Sequence, residues 1–203
     1  MQNSAVEARK AFGVLFIAVS ISVIIASFLS ELAYMITSIS LYHYVIIWLV
    51  SFGAVFGASY ARLRKSVPAV LRRMKTSTGW PLAAKILNGV CWAGPFAAIA
   101  IFPSFYQYLI LAGIGLGNLS TYLMIRRYSG ADNREQLIVA VVSLAAIPAA
   151  IMIDSMLFAT QQDIAVMLSR IFIGIAYAAG GAFALLKKAG PVGFDPTTSG
   201  SLQ

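Results

Sequence analysis

Fourteen of the fifteen Lys and Arg residues fall between long apolar runs, and they alternate onto one side of any threading through a bilayer. Six stretches of membrane-spanning length are predicted, at about 11–30, 41–61, 83–102, 105–125, 137–158 and 164–186. One face then collects Arg9, Lys10, the seven cations from Arg62 to Lys85, Arg126, Arg127, Arg134, Lys187 and Lys188. The opposite face collects Glu31 and Asp163 and no cation outside the spans. Basic loops resist translocation, so the charge pattern predicts both termini in the cytoplasm of a multi-pass cell-membrane protein. The expected architecture is all-α: a compact bundle of six transmembrane helices over 1–188, followed by a tail at 189–203.

Composition points the same way. Charged residues make up 11% of the chain, against roughly 25% in soluble domains, and mean hydropathy is +0.83. The formal charge of +8 is spread over membrane-flanking loops rather than gathered on one solvated face. Anionic lipid is therefore the expected partner, and no nucleic acid. A single cysteine, Cys91, forbids an intrachain disulfide, and a single histidine, His43, forbids a bis-His haem. No cofactor and no metal site is expected.

Within this frame a few segments carry more information. Glu31 is taken to end the first span, with Leu32 to Ser40 lying along the outer interface. An aromatic belt of Tyr34, Tyr42, Tyr44 and Trp48 surrounds His43, which reads as an amphipathic anchor. Glycines four apart at Gly53/Gly57 and at Gly113/Gly117 lie on one helix face each and allow close helix approach, either inside the bundle or against a partner. The segment 62–76 sets Leu63, Val67, Val70, Leu71 and Met74 at helical spacing. Arg64, Lys65, Arg72, Arg73 and Lys75 supply its basic faces. That pattern predicts an amphipathic helix on anionic cytoplasmic headgroups, with Pro68 in its first turn. Ser129-Gly130 is expected to close the fourth span. The tail has no apolar period and does not order in isolation; contact with a partner subunit is the expected way to hold it.

Polar groups inside the spans are the candidate sites. Centring the last hairpin between Gln161 and Gln162 puts Asp154 within one residue of the level of Arg170, about 10 Å from the hairpin end. An intramembrane ion pair, or a substrate site built on it, follows from the cost of leaving either charge alone. Depth matching around Ser104 and Phe105 places Asn88 near Thr121 and Cys91 near Asn118, whose midplane amide would tie the third span to the fourth. No HExxH, GxGD, intramembrane aspartate pair or Ser–His dyad is present. The chain is therefore expected not to be an enzyme.

In size, six spans and cytoplasmic termini, the chain resembles the substrate-binding components of energy-coupling-factor vitamin transporters, a likeness of topology without a shared motif. That resemblance implies a solute-binding role. The first functional expectation is a non-catalytic accessory or scaffold subunit of a larger membrane assembly, with other membrane subunits or a second copy as partners. The alternative is a small transporter, channel or solute-binding component using Asn118 or the Asp154/Arg170 region; the third is an intramembrane enzyme.

Overall fold

Apolar side chains cover much of the outside of this chain. Phe28, Met35, Leu49, Ile101 and Met156 are among the large hydrophobic residues left exposed, a surface that only lipid or another protein would cover at no cost. The computed structural model describes residues 2–36, 40–75, 79–131 and 133–186, and among these it is all-helical with no strand. The elements are α1 (Gln2–Ile36), α2 (Leu41–Ala58), α3 (Tyr60–Met74), α4 (Leu82–Ala98), α5 (Tyr106–Ser129) and α6 (Arg134–Leu186). Four helical segments are long and apolar enough to cross a membrane: Val6–Ile36, Pro103–Ser129, Arg134–Leu157 and Asp163–Leu186. The chain is thus compatible with a multi-pass membrane protein. The tail at 189–203 lies outside the described residues.

α6 is broken at Gln161, whose φ of −147° and ψ of 57° are non-helical. The break reverses the chain, because Gly180 in the second limb lies against Val139 and the Glu135 carbonyl in the first. α1 runs antiparallel to that second limb. Gly174 sits against Ile24, Gly181 against Ile17, and Gly13 against Ala184 and Leu185. Three glycines, at 13, 174 and 181, let these two helices approach closely where lipid gives no hydrophobic drive. α5 is antiparallel to the first limb, with Gly115 under Leu144 and Ala140.

The helices form a curled row. α4 packs on α5, α5 on α6, α6 on α1, and α1 on α2 and α3, while among the described residues no extensive packing joins α2 to α4. The core lies where α1, α5 and α6 meet, around Phe16, Val23, Leu111, Val139 and Ala176.

Several local expectations hold. Gly130 closes α5 with φ of +62°, the left-handed region a side chain would strain. Asn88 accepts hydrogen bonds from Thr121 (2.9 Å) and Ser120 (2.8 Å), joining α4 to α5. Other expectations are corrected. α1 does not stop at Glu31 but continues to Ile36, because Glu31 is buried against a partner and has no need to end the helix. Pro68 lies inside α3 rather than at its start; the helix begins earlier, at Tyr60, one residue after α2 ends. The apolar face of α3 rests on α1, with Leu63, Val67, Val70 and Leu71 facing Ala11 and Leu15. Arg64 and Lys65, and Lys75 just past the helix, are exposed; the side chains of Arg72 and Arg73 lie outside the described set.

Candidate functional site

The curl of the row shapes a cavity of about 590 Å³ that stays open along one side. Six aromatic side chains line it: Tyr44, Trp48 and Phe52 from α2, Phe96 from α4, Tyr106 from α5 and Tyr177 from the second limb of α6. Val19 and Val23 of α1, Ile110 and Ile114 of α5, and Ile173 of α6 fill the gaps between them. Trp48 and Phe52 stand nearly parallel at 6.1 Å and 21°, and Phe52 and Phe56 continue the stack at 6.1 Å and 17°. Residues four apart on a helix fall on one face, so α2 presents a continuous aromatic face. Trp48 and Phe52 on one side and Phe96 on the other flank the unclosed seam between α2 and α4.

Arg170 is the charged group of the lining. Its Nη1 donates to Glu31 Oε1 on α1 at 2.8 Å, and the two side chains are 17% and 8% exposed. The guanidinium carbon stands 5.8 Å from the centroid of the Tyr44 ring, within cation–π range. The Tyr106 side chain stands beside Arg170 in the lining. One end of the cavity therefore gathers a compensated charge pair and two phenols, and the remainder is apolar.

The expected Asp154–Arg170 ion pair does not form. Arg170 takes Glu31, and the Tyr108 hydroxyl donates to Asp154 Oδ2. The cause is the offset of the α6 limbs. At the register that brings Asp154 level with Arg170, Gly180 would face Leu144; it faces Val139 instead, about 7 Å further along at 1.5 Å per residue. Glu31 reaches Arg170 because α1, not the first limb, runs beside it there.

Asn118 is fully buried, but it is not bound to α4 as expected. Its Nδ2 donates to the Ile114 carbonyl of its own helix at 2.9 Å, and its side chain stands beside the Tyr177 phenol. It thus faces the second limb of α6 at a cavity-wall tyrosine. Interhelical polar contacts in membranes average about 0.6 kcal/mol. Asn118→Leu and Tyr177→Phe are accordingly expected to show a coupling near that size in a thermal-stability cycle, and strictly additive losses would dissociate the two side chains.

The glycine pairs separate. Gly113 and Gly117 lie under Phe96 and Trp92 of α4, inside the bundle. Trp92 Nε1 also donates to Thr121 at 3.0 Å. Gly53 and Gly57 have nothing within 4 Å of where a side chain would begin, so their face of α2 is open. His43 has a local role: its Nδ1 accepts from the Ser40 backbone N–H at 3.2 Å at the start of α2.

The cavity itself was missed by sequence reasoning. Its signal was there, in Tyr44, Trp48, Phe52 and Phe56 repeating every four residues, a face too regular for a belt that marks one depth. Among the described residues no group of three or more His, Cys, Asp and Glu could hold a metal ion. Comparisons of the chain with protein-family models, with curated proteins and with solved structures find no match.

Proposed function

We propose that this chain is a non-catalytic, six-span membrane protein that binds a lipophilic solute inside its bundle, as a solute-binding or transport component. The observation that carries the reading is the cavity, whose volume falls within the 300–1,000 Å³ or so of small-molecule sites and whose few polar groups converge at one end.

The topology belongs to the same proposal. α2 and α4, of 18 and 17 residues, are each about 26 Å long, close to the roughly 30 Å hydrocarbon core. Counted with the four longer segments they give six crossings and leave both termini on the basic, cytoplasmic side. α3 then lies at the inner headgroups, where each exposed cation adds about 1 kcal/mol of attraction to anionic lipid.

Ile110→Trp combined with Val23→Phe narrows the cavity. Mass spectrometry of the organic extract from gently purified full-length chain is expected to find one lipophile near stoichiometric amount, depleted about tenfold or more in the double variant. An extract that matches bulk membrane lipid before and after narrowing would overturn the reading. The open Gly53/Gly57 face favours a second one, in which α2 docks on another membrane subunit or a second copy. A particle mass after gentle extraction that fits the monomer alone counts against it.

A further inference from the structure

We infer that the occupant of the cavity is a compact, electrically neutral, planar ring compound that presents an oxygen acceptor to Arg170. The inference rests on the reading that the cavity binds a solute, and it names the class.

Size comes first. At about 30 Å³ per heavy atom, the share of liquid volume taken by a water, 590 Å³ holds roughly 20 non-hydrogen atoms. The lining runs from Tyr44 to Phe52 on α2 and from Tyr106 to Ile114 on α5, eight residue steps in each case, or about 12 Å. A fully extended chain of 20 carbons, with bonds of about 1.5 Å, reaches roughly 25 Å and would leave about half its length outside the lining. Volume over length leaves a mean cross-section of about 50 Å², broad enough for fused rings.

Shape and charge narrow the class. Six aromatic side chains line the cavity, and a ring compound meets such side chains in the offset-stacked or edge-to-face arrangements that aromatic quadrupoles favour. Arg170 is already neutralised by Glu31 at 2.8 Å. An anion entering there meets the Glu31 carboxylate as well as the guanidinium, and a cation meets the guanidinium directly. The guanidinium has five N–H donors in a planar fork, and Glu31 and Tyr106 leave some of them for a ligand. A carbonyl or ring oxygen uses those donors without adding charge. Entry is sideways from the bilayer, across the α2–α4 seam, where such a molecule is already dissolved.

The test uses the full chain in nanodiscs of uncharged phosphatidylcholine, with equilibrium dialysis against four probes and empty nanodiscs subtracted. The probes are 2,3-dimethyl-1,4-naphthoquinone, 2,3-dimethylnaphthalene, naphthalene-2-sulfonate and palmitate. The 2,3-disubstitution prevents addition of the Cys91 thiol to the quinone ring. The quinone is expected to bind about tenfold or more tighter than each of the others. The charge-neutral double variant Glu31→Gln/Arg170→Gln should reduce it to the level of the hydrocarbon, which the variant still binds. Tightest binding of the sulfonate or of palmitate, or a quinone preference that survives in the double variant, overturns the ligand class and leaves the binding reading standing. No probe above empty nanodiscs also sinks this inference. If no co-purifying lipophile is found either, the binding reading falls with it.

Discussion

Replacing Gly180 by valine is expected to destabilise the bundle by about 3 kcal/mol or more, near the upper end of what overpacking costs. A Cβ there would stand 2.5 Å from Val139 Cγ2, 2.8 Å from the Glu135 carbonyl oxygen and 3.3 Å from Phe16 Cδ2. A side chain can rotate away, but a helix carbonyl cannot, so the two limbs of α6 would have to separate. For a chain of this length each kcal/mol moves the thermal midpoint by about 2–4 °C, which puts the expected fall at roughly 6–12 °C. Gly53→Ala provides the contrast. Nothing occupies the space a methyl would enter, and alanine is favoured over glycine in a helix by about 1 kcal/mol, so its midpoint should hold or rise. Similar midpoints for the two variants would mean that the α6 limbs do not meet as tightly as described.

Arg170→Ala is expected to cost about 3 kcal/mol, because it leaves the Glu31 carboxylate, only 8% exposed, without its partner. Removing both charges together, as Glu31→Gln with Arg170→Gln, should return stability to within about 1 kcal/mol of the original, since no charge is stranded. Adding Asp154→Asn to Arg170→Ala should give no such recovery, because Asp154 is engaged by Tyr108. Thermal midpoints of the four proteins in one detergent decide the matter. Recovery by Asp154→Asn rather than by the Glu31 substitution would restore the pairing that matched depth suggested.

What could be read from residues alone follows the range of the forces involved. Helix positions were legible because hydropathy and the Arg126/Arg127 and Gly130 punctuation are local signals. The Asn88–Thr121 contact was legible because a short connection near Ser104 fixes relative depth across α4 and α5. The same reasoning failed in α6, where the break at a single residue, Gln161, left the limbs offset by more than a helical turn. Glu31 was misread because its partner lies 139 positions away, and a charge beyond an apolar run looks like the end of a span. The pairing of Gly13 with the Gly174/Gly181 face belongs to the same class: each glycine is visible, but which helices they join is set by the order of the row. The cavity depends on that order as well, with five elements contributing to its wall, and no window of sequence contains it.

The unclosed row has a thermodynamic consequence for α2. That helix is held along one side, by α1 and by its junction with α3, while α1, α5 and α6 are packed on several. Proteins open in cooperative units whose free energies run from near zero to the global value, and elements with few buried contacts lie at the low end. α2 is such a unit, and Tyr44, Trp48 and Phe52 move with it. On the solute-binding proposal, this weakly held wall is where contents would exchange with lipid, while the helices that define the floor of the cavity stay folded.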